Sequence, residues 1–173
     1  MQVRVAGVAL DPAGQHVILL KPMEETAGSG FVLPIWIGEQ EATSILVAVE
    51  GATVPRPLAH DLMRGILEAL DAVVTRVEVT RIDGGTFYAA ITITTAFGDR
   101  VVDSRPSDAI ALASRVGASI WVADEVMTEA GVLDTLVENA SDDDDDDDEA
   151  PDVDQSLDEF KRFIEDVEPE DFR

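Results

Sequence analysis

"VVTRVEVTRIDGGTFYAAITI", residues 73–93, decides the fold. Val73, Thr75, Val77 and Val79 alternate with the polar Arg76, Glu78 and Thr80, the two-residue period of a strand with one buried face. Phe87, Ala89, Ile91 and Ile93 repeat the alternation after "DGGT", whose glycines supply the positive φ that a tight hairpin turn needs. An antiparallel pair is therefore predicted at the centre of the chain, and its neighbours decide what kind of sheet it joins.

Upstream, "VRVAGVAL" and "HVILLKP" are β-rich runs joined by "DPAGQ", a second hairpin signal. "FVLPIWIG" is a third run, in which Pro34 argues for an edge or a bulge because it cannot donate to a ladder. The period then changes. Ala42, Ile45, Leu46 and Val49 share one helical face, predicting a helix over about 39–50 that Gly51 ends. Leu58, Leu62, Ile66 and Leu70, widened by Met63 and Leu67, form the stripe of a second helix, with Pro57 suited to its first position. Downstream, a short strand near 100–103 leads into "DSRPSDAIALA" (103–113), a helix with Ile110, Ala113 and Val116 on one side. A strand, "SIWVA", and a small helix near 124–130 follow. Antiparallel strand pairs with helices between the groups predict an α+β fold: a mixed, largely antiparallel sheet with helices packed against it, not a parallel doubly wound one.

The 173 residues, 46% of them hydrophobic, suit one core plus excess chain. That excess is the tail. Residues 1–140 carry nine basic and nineteen acidic side chains, whereas residues 141–173 carry three and seventeen, so most of the net charge of -24 lies there. "SDDDDDDDEAPDVD" repels itself and has nothing to bury, which predicts a disordered tether. Leu157, Phe160, Ile164 and Val167 then form an apolar stripe, with Ser156 and Glu159 at capping-box spacing and Pro169 as a stop. The expected layout is a domain over 1–138, an acidic linker over 139–155 and an amphipathic helix over 156–168. That helix packs on its own domain or a neighbouring subunit, or docks in the groove of a protein partner; the aspartate run could also compete with phosphates for a basic groove.

The absence of cysteine excludes disulfides, thiolate zinc sites and a cysteine nucleophile. The N-terminal stretch lacks the basic and apolar regions of a secretion signal, and no run approaches the roughly 18 apolar residues of a membrane span. A soluble, cytoplasmic protein is expected.

Neither a phosphate-binding glycine loop nor a His-Glu-x-x-His pair occurs. Chemistry-bearing residues gather in two places. "VPRPLAHDL" offers Arg56, His60 and Asp61 at the start of a helix. A neutral imidazole there can act as a base near pH 7 and the carboxylate can hold a divalent ion; alternatively, Asp61 complements the helix dipole and His60 bonds locally. "DSRPSDA" offers Asp103, Arg105, Ser107 and Asp108. Ser104 or Ser107 can cap the helix and Asp108 suits its positive end. Arg105 opposes the dipole and so needs a partner, either a carboxylate or an anionic ligand. Trp36 and Trp121 could stack on bases, although their apolar strand context favours the core or a subunit contact.

Four stretches in order, "LPIWIGEQEATSI", "PRPLAHDLMRGILEAL", "DGGTFYAAI" and "DSRPSDAIALASRVGASIWVADEVMTEAGV", together resemble the bifunctional nuclease domain family of bacteria and plants. The resemblance covers about residues 3–135, and "DEFKRFIEDVEPEDF" looks like the ending of actinobacterial members. It implies a compact α+β fold, a homo-oligomer, and cleavage of both DNA and RNA. Carried onto this chain it points to Arg56, His60, Asp61, Thr86, Arg105, Ser107 and Asp108 as one polar surface. Ala59 departs from the family's usual Thr before the His-Asp pair and lacks its hydroxyl.

Two functions are consistent with these residues. As a phosphodiesterase, Asp61 and Asp108, with Asp103 as a further candidate, hold Mg²⁺ or Mn²⁺, His60 orients or deprotonates water, Arg105 steadies phosphate charge, and Arg56, Thr86 and Ser107 bind substrate. A basic face for nucleic acid would need Arg56, Arg64, Arg105 and Arg115 to cluster. As a non-enzymatic oligomeric adaptor, the same motifs serve a subunit interface and the tail helix binds a partner.

Overall fold

The computed structural model describes residues 1–25 and 30–134. The expected linker over 139–155 and helix over 156–168 lie outside these residues. The elements in chain order are β1 (Gln2–Leu10), β2 (His16–Pro22), β3 (Phe31–Trp36), α1 (Glu39–Glu50), α2 (Ala59–Ala69), β4 (Val73–Asp83), β5 (Thr86–Thr95), β6 (Gly98–Ser104), α3 (Pro106–Val116), β7 (Ser119–Val122), α4 (Asp124–Ala130) and β8 (Val132–Leu133). The strands make one eight-stranded sheet in the order β6-β5-β4-β7-β1-β2-β3-β8. Only β4 and β7 run parallel, so the predicted α+β class with a largely antiparallel sheet is what forms.

The central hairpin is β4–β5, with two changes of phase, one near its start and one at Thr80, between Val79 paired with Ala89 and Arg81 paired with Tyr88. Val74 pairs Ile93 and Arg76 pairs Thr92, leaving Thr75 as the extra residue of a bulge. Its insertion turns Val74, not Val73, into the core together with Val77 and Val79, and leaves Val73 exposed. Pro34 sits where β8 has ended, for β8 pairs only with Phe31 and Val32, so its missing N–H costs no ladder bond.

The core joins one face of the sheet to the helices. Ile18, Leu20, Leu33, Ile35, Val77, Val79, Ile120 and Val122 meet Ile45 of α1, Ile110 of α3 and Val126 of α4. Helix α3 is central: Pro106, Ser107 and Ala109 through Ala113 are all buried, because it lies on β4 and β5 and also takes α1 and α2 against it. Small alanines let it fit there. Gly51 and Gly117, at φ 65 and 69, end α1 and α3 in the left-handed conformation predicted for Gly51. On α1 the inward residues are Ala42, Ser44, Ile45 and Val47, while Val49 points outward.

Helix α2 is turned the other way from its expected orientation. Its stripe faces solvent, with Leu62 59%, Ile66 51% and Leu70 69% exposed, whereas His60 is its one buried residue. Pro57 lies outside the helix, ahead of the N-cap Leu58. The physical reason is polar: His60 and Asp61 have partners inside the fold that a leucine stripe would displace.

Candidate functional site

The first turns of α2 and α3 meet the middle of α1, and three polar links hold them. His60 carries two of them. Its Nδ1 is 2.9 Å from the Ser44 hydroxyl on α1, and its Nε2 is 3.3 Å from Asp108 Oδ1 on α3. With a neutral ring these bonds fit Ser44 donating to Nδ1 and Nε2–H donating to the carboxylate. The ring therefore bonds across the fold and not locally.

Asp61 carries the third link. Its Oδ2 accepts the N–H of Leu58 at 2.9 Å, a helix-start bond, and its Oδ1 accepts Arg115 Nε at 2.7 Å. Arg115, only 3% exposed, also donates Nη1 to the carbonyls of Ser44 and Ala111, each at 3.0 Å. One guanidinium thus ties the end of α3 to both α1 and α2.

Outside this knot stands Arg105, with 64% of its side chain exposed. Its Nε and Nη2 donate to Asp108 Oδ2 and Oδ1 at 2.7 and 3.1 Å, and its Nη1 meets Glu41 Oε1 of α1 at 2.8 Å. The partner that a cation at a helix start requires is therefore present twice over. Arg105 itself is the N-cap of α3, Pro106 follows at the first position, and no side chain caps the helix, contrary to the role expected of Ser104 or Ser107. Ser107 is buried and the buried Ser104 hydroxyl has no hydrogen-bond partner among the described residues.

The electrostatics follow from these bonds. Hydrogen bonds from Arg105, with its charge and the His60 bond, hold the Asp108 carboxyl below its ordinary value against burial, which acts the other way. In Asp61, burial alone pushes the carboxyl up, but Arg115 and the Leu58 N–H together outweigh it and the net direction is down. Both groups therefore stabilise the fold above the ordinary aspartate pKa of about 3.9, and that contribution disappears as pH falls through the lower folded-state values. Acid unfolding followed by circular dichroism should set in below about pH 4, and Asp61→Asn should flatten the acid limb; an unchanged limb would mean the pair contributes nothing.

The predicted residues come together only in part. His60, Asp61, Ser107, Asp108 and Arg105 lie in one connected region. Arg56 and Thr86 are exposed and make no hydrogen bond or ion pair with it among the described residues. The imagined basic face does not form either, since Arg115 is internal and the exposed Arg64 pairs with Glu68. Glu41 and Ser44 are the members that sequence reasoning missed. Among the described residues no three His, Asp or Glu side chains are grouped to hold a metal ion. The donors that do converge on one positive charge are Glu41 and Asp108, around Arg105.

A family description, the bifunctional nuclease domain, matches residues 18–135. The chain belongs to the bifunctional nuclease domain family. The matched span contains the whole cluster from Glu41 to Arg115. An uncharacterized protein of Mycobacterium tuberculosis is 37% identical over 174 residues, covering 99% of this chain and 98% of that relative. Bifunctional nuclease 1 of rice, Oryza sativa subsp. japonica, is 30% identical over 115 residues, 65% of this chain and 34% of the plant protein. The bifunctional nuclease of Oryza minuta matches to the same extent. Among the described residues no helix of this family member is long and apolar enough to cross a membrane.

Proposed function

We propose that this bifunctional nuclease domain cleaves phosphodiester bonds of DNA and RNA in the cytoplasm, at the start of α3. The observation that carries the reading is Arg105: an exposed guanidinium held in a fixed orientation by Glu41 and Asp108 can exchange one carboxylate for a phosphate without being rebuilt. Free backbone N–H groups of the first turn of α3 favour the same anion. Arg105 steadies the charge that develops on the phosphate. Asp108 takes the proton of the attacking water, and His60, its two nitrogens engaged with Ser44 and Asp108, orients that carboxylate. Ser107 sits behind them in the first turn, while Arg56 and Thr86 contact substrate farther out, beyond the cluster.

The donor set suits Mg²⁺ or Mn²⁺ held by Asp108 with Glu41, since Mg²⁺ typically uses one or two carboxylates plus substrate phosphates. Asp61, expected as the second ligand, is bound to the Leu58 N–H and to the enclosed Arg115, whereas Asp108 is held mainly by the exposed Arg105, and Asp61 acts in this reading as a positioning residue. When bound, such an ion polarises the phosphate and lowers the pKa of water.

The test is incubation of the full chain with end-labelled single-stranded DNA and RNA in Mg²⁺, in Mn²⁺ and in EDTA. Cleavage of both substrates that EDTA stops is the expected result. Cleavage that persists in EDTA removes the metal from the reading, and no cleavage in any condition removes the nuclease.

The outward stripe of α2 favours a second reading, a homo-oligomeric adaptor without catalysis, in which another copy covers Leu62, Ile66 and Leu70 and the segment 156–168 engages a protein partner. Sedimentation of the full chain separates the two: a monomer at micromolar concentration excludes the adaptor as described, and a dimer without cleavage favours it.

A further inference from the structure

The helices that touch the sheet all lie on its core face, leaving the opposite face of β7, β4, β5 and β6 uncovered by any described helix. On that face stand Trp121 of β7, whose apolar run favours the core or a subunit contact, and Tyr88 of β5, which the alternation of Phe87, Ala89 and Ile91 turns outward. Each ring has a guanidinium over it: Arg76 Cζ is 4.2 Å from the Trp121 centroid, and Arg81 Cζ is 3.7 Å from that of Tyr88. Trp121 is further fixed by its indole N–H, which donates to Ser119 Oγ at 3.0 Å. Trp36, the other tryptophan, is also outside the core, 56% exposed and donating to Asp11.

We propose that this face is a stacking platform for single-stranded nucleic acid, with Trp121 and Tyr88 as base-bearing rings and a strand path that runs on to Arg105. The proposal rests on the nucleic-acid reading above. Flat aromatic rings and guanidinium planes on an open sheet are what unpaired bases stack on, in any sequence. The geometry selects a single strand. Trp121 lies level with Glu78 and Tyr88 level with Arg81, so the rings are two strands and roughly two residues apart, about 12 Å by sheet spacings. Bases in a stacked strand are only about 3.4 Å apart and face inward in a duplex, so one chain must be unstacked to reach both rings.

Register supplies the continuity with the candidate site. Ala89 pairs with Ser104, which places the next residues, Tyr88 and Arg105, level at the same edge of the sheet. A strand whose base rests on Tyr88 has to round the end of β6 to bring its phosphate to the α3 start, which lies on the helix side of the sheet. Around the rings this face carries Arg76 and Arg81 beside Glu78, Asp83, Asp99 and Asp103, and Arg76 Nη2 already pairs with Glu78 Oε2 at 2.9 Å, so the platform would hold bases by stacking, with Arg81 as its cation for phosphate.

The test uses the full chain carrying Trp36→Phe, which leaves Trp121 as the sole tryptophan, in EDTA to prevent turnover. Titration with a ten-nucleotide oligo(dT) should quench Trp121 fluorescence saturably, and a duplex of the same length should not. Tyr88→Ala should raise Kd about tenfold or more, Arg81→Ala should raise it several-fold, and Tyr88→Phe should restore binding. Equal quenching by duplex, or a Kd indifferent to Tyr88→Ala and Arg81→Ala, overturns the platform. So does an emission shift that follows protein concentration without oligonucleotide, for a second copy then covers the face. The two readings fail separately: binding without cleavage removes the nuclease and keeps the platform, and cleavage with KM unchanged in Tyr88→Ala does the reverse.

Discussion

Arg115→Ala is expected to cost about 3–5 kcal/mol of unfolding free energy, the range for breaking a buried ion pair by removing one partner. Arg115 is almost wholly enclosed; its Nε serves Asp61 and its Nη1 the carbonyls of Ser44 and Ala111, while Nη2 is buried without a hydrogen-bond partner among the described residues. Alanine leaves Asp61 with only the Leu58 N–H, at the junction where α2 joins the rest of the fold. Because the apolar stripe of α2 faces outward, the bonds of His60 and the packing of Leu67 are the main hold on that helix once the guanidinium is gone. Denaturant unfolding should show a lower midpoint at unchanged slope. Arg115→Met with Asp61→Asn should recover much of the loss, since neither uncompensated charge nor lost volume remains. A loss under about 1 kcal/mol for Arg115→Ala would mean that the pair behaves as an exposed one.

The fold was legible where one period governs many residues. Residues 73–93 declare a hairpin by alternation, and the helices over 39–50 and 106–116 end at glycines that adopt positive φ. What escaped was the phase. The bulge at Thr75 moves Val73 to the surface, and no residue type marks it. The stripe of α2 misled for a different reason. Burial is decided there by His60 and Asp61, whose partners Ser44, Asp108 and Arg115 stand 16, 48 and 54 positions away in sequence. Glu41 reads, on sequence alone, as a helix-dipole complement in the first turn of α1, and Ser44 as a polar interruption in an apolar run. Only the approach of α1 to α3 gives them a role. The need of Arg105 for an anionic partner was deducible from its place at a helix start; which anion it holds at rest was not.

Arg105→Ala is expected to lower cleavage of single-stranded nucleic acid by about 10²–10³-fold, the usual cost of deleting one donor to developing transition-state charge. Stability should hardly change, since exposed ion pairs contribute about 0–1 kcal/mol, and this separates chemistry from architecture. Deletion also releases Asp108 from the group that most strongly holds its carboxyl down, so residual activity should lose its acid side at a higher pH than in the unaltered protein. Arg105→Lys should recover charge but little rate, because an ammonium cannot span both oxygens of Asp108 or of a phosphate as the planar fork does. If Arg105→Ala cleaves normally, the guanidinium is a brace between α1 and α3, and the phosphate site must lie elsewhere. If it lowers melting temperature and cleavage together, its bonds to Glu41 and Asp108 carry more of the fold than their exposure implies. A rate loss at unchanged stability, with little rescue by lysine, places the reacting phosphate at the start of α3.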